Sequence, residues 1–332
     1  MMNTSTEFVK LRTTLTSRPA MKSVRFHGRG DVRVDEVEEP VCGKGQVKMR
    51  PAYAGICGTD LHEYTGGPVL IPARPHHITG STYPVSMGHE FAGIVEETGE
   101  GVVNVFPGQR AVVRPTIFDG TCTACKQGYN HCCENIGFIG LSGYGGGMSK
   151  RIVAPAGHFY PIPDSISLEA AALIEPLAVA WHAVNISPFK TGDSVLVVGG
   201  GPIGLGVVQK TRELTDGIGA DVIFDAAGVE EAIVGAIPAC RTQGTIVNIA
   251  VWEKSPTLPV NQLMYNEVRY MGAALFDESS FVDTIRAMSY GQLKSEAMIT
   301  SRISLDKVVD KGFKALLEHR DQHCKILVDV QS

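Results

Sequence analysis

Three short segments of the sequence carry side chains that could bind a metal ion. Gly-Ile-Cys-Gly-Thr-Asp-Leu-His occupies residues 55–62, Gly-His-Glu residues 88–90, and Glu-Pro residues 175–176. Thiolate, imidazole and carboxylate groups are the ligand types of a catalytic zinc ion, which keeps one coordination position open for substrate. Taken alone, Cys57 is more often a small buried residue, and His89 a hydrogen-bonded residue of the core. Taken together, the three segments predict a catalytic zinc site.

A glycine-rich turn could bind a dinucleotide. Residues 194–198 form an apolar run, Ser-Val-Leu-Val-Val, which is followed by Gly-Gly-Gly-Pro-Ile-Gly over residues 199–204 and then by a helix-like stretch. In such a turn one glycine lets the backbone approach a pyrophosphate, and the helix N-terminus faces the phosphates. A strand before the turn and a helix after it support this prediction; a glycine-rich turn without nucleotide is the alternative. The predicted NAD-binding residues, with NADP as the other candidate, are Gly199, Gly201, Pro202, Ile203 and Gly204.

The composition indicates a folded chain with more than one domain. The 332 residues exceed one ordinary domain, and a content of 44% hydrophobic and 20% charged residues excludes a disordered chain. The net charge of −5 gives no basic surplus for nucleic acid. No apolar run approaches the roughly 20 residues of a membrane span. We therefore expect neither nucleic acid nor membrane as a partner.

Two kinds of element must position these side chains. Over residues 46–114 short β-like stretches alternate with Gly and Pro, which indicates a β-rich domain. A helix capped by Asp164 or Ser167 is expected next, with an interruption at Pro176. From Ser194 onward strands alternate with helices, which is typical of a parallel sheet. The sequence thus predicts an α/β protein with a β-rich part and a parallel-sheet part.

The motifs together resemble a known family, the zinc-dependent medium-chain dehydrogenases, which include alcohol and sorbitol dehydrogenases. The segments GICGTDLHEY, SMGHEFAGIV, EPLAVAWHA and VLVVGGGPIGL occur in the family's order. The resemblance covers the chain from about Met21 and is greatest to the branch that oxidises 2,3-butanediol. It implies hydride transfer between a secondary alcohol or diol and NAD, with zinc as the second cofactor.

The resemblance also implies a domain organisation. An N-terminal extension, interpreted as a frayed leader with a transit peptide as the alternative, precedes a GroES-like β-rich catalytic domain. A truncated Rossmann domain, which is a doubly wound parallel sheet, follows, and the chain then returns to the catalytic domain. Family behaviour implies a homodimer or homotetramer in the cytoplasm. The expected boundaries are 1–20, 21–185, 186–276 and 277–332.

Site residues of the family carry over to matching positions in this sequence. Cys57 and His89 are implied as ligands of the catalytic zinc, and Glu175 as the third ligand or as the residue that holds the zinc-bound water. Glu90 would enter the coordination sphere as that water leaves. Asp60 would orient His89 and fix its tautomer.

A route for the substrate proton is implied in the same way. Thr59 takes the place of the hydroxyl that hydrogen-bonds the substrate oxygen, and His62 passes the proton outward. The alternative for His62 is an exposed loop histidine without a role in catalysis.

A cysteine-rich stretch is a second candidate metal site. Many family members bind a structural zinc here through four cysteines. Cys122, Cys125 and Cys133 match that pattern, and Asp119 stands where the first cysteine belongs. Because zinc accepts carboxylate ligands, a site of three cysteines and one aspartate is one prediction. A metal-free lobe and a redox Cys-x-x-Cys pair are the alternatives.

The predicted nucleotide-binding segment is short. From Ser194 to Phe276 there are 83 residues, whereas the six strands of a full doubly wound sheet need roughly 120–150. Compared with the family, the second and third strands are missing. We therefore expect weaker cofactor binding than in relatives, or none, and a zinc-binding remnant without activity is the alternative function.

The loss of the second strand leaves the role of Asp225 open. By spacing, Asp225 ends a strand about 20 residues after the glycines, where the acid that binds the adenosine ribose is expected. By resemblance, it belongs to a later strand near the nicotinamide half. A rewired sheet in which Asp225 lies beside the strand that begins at Ser194 would reconcile the two.

Overall fold

The computed structural model describes residues 18–199, 205–319 and 322–332, and gives only the backbone for residues 205–209. Most of the predicted N-terminal extension therefore lies outside the described residues. The same is true of four predicted cofactor residues, Gly201, Pro202, Ile203 and Gly204.

The described chain forms four sheets connected by short helices. In chain order the strands are β1 (Ala20–Gly28), β2 (Asp31–Glu38), β3 (Gln46–Gly55), β4 (Val85–Ser86), β5 (Glu90–Thr98), β6 (Arg110–Val113), β7 (Thr116–Ile117), β8 (Gly137–Phe138), β9 (Ile152–Pro155), β10 (Phe159–Pro161), β11 (Val195–Val198), β12 (Ala220–Asp225), β13 (Cys240–Asn248), β14 (Arg269–Gly272), β15 (Ile299–Ser304) and β16 (Lys325–Asp329). The α-helices are α1 (Gly58–Gly66), α2 (Thr123–Lys126), α3 (Leu168–Ala171), α4 (Ile174–Ile186), α5 (Leu205–Leu214), α6 (Glu230–Ala239), α7 (Val260–Tyr265), α8 (Glu278–Ser289) and α9 (Lys314–Glu318).

The β-rich part is built around β3. Its sheet has the order β10-β6-β5-β3-β16-β15, with β9 also paired to β3, and a second sheet has the order β2-β1-β4. In β3 the buried Val47 and Met49 alternate with the more exposed Lys48 and Arg50. This period of two places one face of the strand in the core. The alternation that predicted a β-rich domain therefore also fixes which face is buried.

The end of the chain returns to this sheet. Strand β16 pairs antiparallel with β3, so that Leu327 lies opposite Gly55, and it pairs parallel with β15. The apolar residues Ile326, Leu327 and Val328 are fully buried, as expected for a strand with neighbours on both sides.

The parallel-sheet part has four strands in the order β11-β12-β13-β14. Strand β12 lies inside the sheet and is almost wholly buried, whereas β11 forms an edge. In β11, Val195 is 43% exposed and Val197 is 64% exposed. A full doubly wound sheet has the order 3-2-1-4-5-6. The described strands fit positions 1, 4, 5 and 6 of that order, which confirms the predicted short sheet.

The helix expected after Ser167 is two helices. Ser167 Oγ accepts a hydrogen bond from the Ala170 backbone N–H at 3.1 Å and caps α3 as predicted. The break falls before Ile174, not at Pro176, because Pro176 lies in the first turn of α4, where its missing N–H costs nothing. The predicted interruption was therefore wrong by a few residues. None of the described helices combines the length and apolar character needed to cross a membrane.

Candidate active site

Four elements meet where the ends of β3, β5 and β16 adjoin. Cys57 is the N-cap of α1, directly after β3. Glu90 begins β5 and lies opposite Gly55, the last residue of β3. Glu175 is in the first turn of α4, and Lys325 begins β16. Residues more than 100 positions apart are brought to one place by strand pairing.

Three of the predicted ligands form a cluster. One donor atom each from Cys57, His89 and Glu90 lies within 4.8 Å of the other two, which is close enough for one metal ion. Glu175 lines the same cavity and is only 5% exposed, but it does not join the cluster within that distance. Thiolate, imidazole and carboxylate fit zinc. The structure thus groups Glu90 with Cys57 and His89, where the resemblance implied Glu175 as the third ligand. Glu175 lies beside this group.

Gly55 makes room for the Glu90 carboxylate. A side-chain Cβ at position 55 would overlap Oε2 of Glu90. The glycine that precedes Ile56 and Cys57 in the sequence motif therefore has a packing reason. A residue with no side chain is needed opposite a buried acid.

Lys325 is a site residue that sequence reasoning missed. Its Nζ lies 2.9 Å and 2.8 Å from the two carboxylate oxygens of Glu90, and it also donates to the Ile56 carbonyl at 3.3 Å. Burial alone would lower the pKa of Lys325, but Glu90 and Cys57 outweigh it and raise that pKa. The only sequence feature that could have indicated this role is a lysine at the start of the otherwise apolar stretch Lys-Ile-Leu-Val.

Asp60 connects two of the predicted ligands. Its Oδ2 accepts a hydrogen bond from the Cys57 backbone N–H at 2.9 Å, and its Oδ1 lies 3.6 Å from Nδ1 of His89. Both Oδ1 of Asp60 and Nδ1 of His89 are buried without another partner. With Nδ1 directed at Asp60, Nε2 of His89 remains for a metal ion. This geometry supports the orienting role predicted for Asp60.

The histidine and the glutamate beside the cluster have perturbed acidity. Burial lowers the pKa of His89, but Asp60 and the Cys57 thiolate outweigh burial and raise it well above the usual value. Burial also raises the pKa of Glu175 to about 7, with His89 acting in the opposite sense and Glu90 in the same sense. Ionisable groups packed together in this way are typical of a functional site. The donor atoms of Cys57, His89 and Glu90 among them could hold a divalent cation.

A cavity of about 630 Å³ opens above the cluster. The β-rich part contributes the clustered residues and Thr59, and the parallel-sheet part contributes residues 248–251 and 272–275, which follow the ends of β13 and β14. Open α/β sheets bind ligands at the carboxyl ends of their strands. The cavity therefore joins the candidate metal-binding cluster to the carboxyl ends of β13 and β14, where such sheets bind ligands.

The two residues of the predicted proton route lie on α1. The Thr59 hydroxyl is 3.7 Å from Sγ of Cys57 and lines the cavity. His62 lies outside this cavity, where its Nδ1 is 2.8 Å from Oε1 of Glu253. Glu253 belongs to the loop after β13, so this contact joins the two parts of the molecule. Sequence reasoning did not find Glu253.

Asp225 does not present its carboxylate to solvent. It pairs in register with Val198 of β11 and is fully buried, and its Oδ1 accepts hydrogen bonds from the backbone N–H groups of Ala227 and Gly228. Asp225 therefore lies beside the strand that begins at Ser194, as the rewired sheet requires. In the strand order 3-2-1-4-5-6, however, strand 4 also lies beside strand 1, so this position agrees with the resemblance as well. The burial of Asp225 disfavours contact with a ribose. Gly199, the one described glycine of the turn, directly follows β11 and lies close to Ala226.

The cysteine-rich stretch forms a second cluster. Donor atoms of Asp119, Cys122, Cys125 and Cys133 lie within 4.8 Å of one another. Backbone N–H groups point at the sulfurs: Asp119 and Asn135 donate to Cys133, and Cys125 donates to Cys122. The bond from the Cys125 N–H lowers the pKa of the Cys122 thiol, whereas burial raises the pKa of the Cys125 thiol to about 12. The donor set and its geometry suit a tetrahedral zinc ion.

Asp119 is held as a carboxylate in this second cluster. Its Oδ2 accepts from Asn135 Nδ2 at 2.7 Å, and its Oδ1 accepts from the backbone N–H groups of Thr121 and Cys122. These bonds, that from Asn135 first, hold the pKa of Asp119 well below its usual value. Asp119 is therefore charged and oriented, as a metal ligand must be.

Two family models match the chain. Residues 43–164 match the alcohol dehydrogenase GroES-like domain, and residues 202–289 match the zinc-binding dehydrogenase domain. The β-rich part with its metal cluster and the parallel sheet thus define a zinc-dependent dehydrogenase.

Proteins similar to this chain indicate which members of this class it resembles. An (R,R)-butanediol dehydrogenase of Neisseria gonorrhoeae is 35% identical over 352 residues, and the match covers 93% of this chain and 99% of that protein. One of Bacillus subtilis is 37% identical, with the same shares covered. A crystal structure of the 2R,3R-butanediol dehydrogenase from Bacillus subtilis superposes with a TM-score of 0.85 at 35% identity, covering 93% of this chain and 99% of that one. The chain belongs to the zinc-dependent alcohol dehydrogenase family, in its medium-chain branch.

This chain is shorter than these relatives. A share of 93% of 332 residues is about 309 residues, so an alignment of 352 positions holds about 43 at which this chain has no residue. That number is of the size needed for two strands and their crossovers. It agrees with a sheet that lacks two strands.

Proposed function

We propose that this enzyme oxidises a small neutral secondary alcohol, best represented by (2R,3R)-2,3-butanediol, and reduces the corresponding hydroxyketone in the reverse direction. The cluster of Cys57, His89 and Glu90 at the base of a cavity between the two parts of the molecule carries the proposal. The relatives named for butanediol supply the substrate class.

The cavity wall supports a neutral substrate. Apolar side chains from outside the parallel sheet, among them Leu70, Phe138, Leu141 and Val179, line the cavity. No lysine or arginine is among the described residues that line the cavity. A substrate with a carboxylate or phosphate group would find no cationic partner there. The volume of about 630 Å³ is in the range of cavities that enclose small ligands.

The residues present fit a zinc ion and the nicotinamide half of NAD(P). Cys57, His89 and a carboxylate of Glu90 or Glu175 would hold the zinc, which would supply Lewis-acid assistance to the alcohol oxygen when bound. NAD or NADP would supply the hydride acceptor. Residues 248–251 and 272–275 would flank the nicotinamide ring. Lys325 holds Glu90 in place through both carboxylate oxygens.

The proton of the substrate hydroxyl leaves along α1 in this proposal. Thr59 lies at the cavity, and His62 lies three residues later on the same face of the helix, outside the cavity. Glu253 accepts the hydrogen bond from Nδ1–H of His62, which leaves Nε2 free to take a proton. The order Thr59, His62, solvent then follows from position.

A rate assay tests the function. Purified zinc-containing protein with NAD should oxidise (2R,3R)-2,3-butanediol with a higher kcat/KM than sorbitol or ethanol. Cys57→Ser should abolish the rate and release the catalytic zinc, whereas Cys42→Ser, a matched change of a cysteine outside both clusters, should leave both unchanged. A protein that holds its zinc and oxidises none of the three alcohols would contradict the proposal.

We also propose that the second cluster binds a structural zinc ion through Asp119, Cys122, Cys125 and Cys133. The N–H groups directed at the sulfurs and the ionised Asp119 support this. Metal analysis should find two zinc ions per chain.

Assembly and location follow the family in this proposal. We expect a homodimer or homotetramer in the cytoplasm. Light scattering on the purified protein measures the assembly, and a monomer at micromolar concentration would contradict the first expectation.

A further inference from the structure

Helix α1 carries a buried acid that neither the metal cluster nor the proton route uses. Glu63 is fully buried, and it is not among the described residues that line the cavity. A carboxylate taken out of water needs hydrogen-bond donors in the protein. The partners of Glu63 therefore indicate what this residue does.

The donors to the Glu63 carboxylate come from one loop, residues 67–71. The Val69 N–H donates to Oε2 at 2.9 Å, and the Ile71 N–H donates to Oε1 at 3.1 Å. The Leu70 N–H also donates to Oε1. Three consecutive backbone N–H groups thus bind one carboxylate, and the backbone of the loop bends around it.

Both ends of the loop are fixed. At its start, the Gly67 N–H donates to the Glu63 carbonyl at 2.9 Å, where α1 ends. A Cβ at position 67 would overlap both the backbone and the carboxylate of Glu63, so the approach requires glycine. At its end, Ile71 is 1% exposed and packs in the core of the β-rich part.

Between these ends the loop contributes one side chain to the cavity. Leu70 is the residue of the loop among the described residues that line the cavity above the metal cluster. Thr59 also lines this cavity, and Glu63 lies four residues after Thr59, on the same face of α1. The neighbour of Leu70, Val69, is 63% exposed and is not among the lining residues.

We propose that Glu63 is a positioning residue for substrate selection, which holds Leu70 as a fixed wall of the cavity. This inference rests on the proposed function. Because the N–H groups of residues 69–71 are all bound to one carboxylate, the isobutyl group of Leu70 does not move aside for a bulkier alcohol. The cavity then favours alcohols with short chains on the carbinol carbon. Glu63 itself contacts neither substrate nor metal.

Substitution of Leu70 in the full-length, zinc-containing protein tests the role of the wall. The ratio of kcat/KM for (3R,4R)-3,4-hexanediol to that for (2R,3R)-2,3-butanediol measures selectivity, because hexanediol is longer by one carbon at each end. One methylene group in an apolar pocket changes kcat/KM by about tenfold or more, so Leu70→Ala should raise this ratio at least about tenfold. Val69→Ala, a matched change of the exposed neighbour, should leave the ratio within about twofold of wild type.

The outcomes of this experiment separate the inference from the proposed function. An unchanged ratio in Leu70→Ala, with oxidation of 2,3-butanediol retained, would overturn the inference and leave the proposed function standing. A wild-type protein that holds its zinc and oxidises neither diol would overturn both.

Substitution of Glu63 tests whether it acts through Leu70. In Glu63→Gln the amide keeps one oxygen and presents an NH2 group in place of the other, so at least one loop N–H loses its acceptor. Hydrogen exchange should become about tenfold faster at one or more of residues 69–71, and the selectivity ratio should rise at least about threefold. In the double variant with Leu70→Ala, the ratio should equal that of Leu70→Ala alone, because the wall is already removed.

A purely structural role for Glu63 gives a different result. It would lower the melting temperature of Glu63→Gln and leave the selectivity ratio unchanged. Faster exchange with an unchanged ratio, or changes in the ratio that multiply in the double variant, would refute the positioning role.

Discussion

Replacement of Lys325 by Met should destabilise the protein through Glu90. Met preserves most of the volume of lysine and removes the cation. The lysine Nζ lies 2.8 Å and 2.9 Å from the two oxygens of Glu90, and both side chains are buried. Removal of one partner leaves the Glu90 carboxylate buried beside Cys57 and Glu175 without its counter-charge.

The size of the effect follows from the geometry of the pair. Breaking a buried ion pair by removal of one partner costs about 3–5 kcal/mol. At about 2 °C per kcal/mol for a large domain, the melting temperature of the zinc-free protein should fall by about 6–10 °C. Bound zinc would supply a positive charge next to Glu90, so the fall should be smaller in the zinc-loaded protein.

A double-mutant cycle measures the interaction free energy between Lys325 and Glu90. Thermal unfolding is recorded for wild type, Lys325→Met, Glu90→Gln and the double variant, each with zinc and with a chelator. Because the double variant has neither charge, it should recover most of the stability lost in Lys325→Met. If the two changes were additive in the zinc-free protein, the reasoning from an uncompensated carboxylate would be refuted.

Three further predictions concern charged groups at the two clusters and between the domains. Burial raises the pKa of Glu175 to about 7, so the folded zinc-free protein keeps a proton that the unfolded chain loses near pH 4.5. The free energy of unfolding should therefore fall by roughly 3 kcal/mol between pH 4.5 and 7. Glu175→Gln should remove most of this pH dependence. Glu253→Ala should lower kcat about tenfold with little change in KM, because His62 loses the acceptor that fixes its tautomer, and Glu253→Gln should retain part of the rate. Asp119→Ala should reduce the zinc content from two ions per chain to one, whereas Cys132→Ser, a change of an exposed cysteine outside the cluster, should not.

Each of these has a direct check. Denaturant unfolding at several pH values would contradict the first prediction if stability rose from pH 4.5 to 7. For the second, nitrogen NMR of the His62 ring reports the tautomer, and an unchanged tautomer in Glu253→Ala would rule out the positioning role. For the third, metal analysis that finds two zinc ions in Asp119→Ala would exclude Asp119 as a required ligand.

The candidate metal ligands Cys57 and His89 could be proposed from the sequence because short motifs contain them and because those motifs resemble a known family. Lys325 and Glu253 could not, since they lie 235 and 191 residues from their partners. Such contacts depend on the pairing of β16 with β3 and on the approach of the two parts of the molecule. Local sequence patterns carry no information on either.

The fold, too, could be predicted from the sequence only in part. The four-stranded parallel sheet could be inferred from a residue count, because each strand and crossover has a minimum length. The short strand β15 could not, since Ile-Thr-Ser-Arg-Ile-Ser lacks a long apolar run and becomes a strand by pairing with β16. The helix break before Ile174 was misplaced because a proline in the first turn of a helix is tolerated.

The packing of Gly55 against Glu90 limits how the two positions can evolve. Any side chain at position 55 would displace the carboxylate that Lys325 and the metal cluster share. A substitution there would therefore survive selection only with a smaller residue at position 90. Across homologous sequences we expect these two positions to covary or to remain fixed, as a coupled pair on adjacent strands.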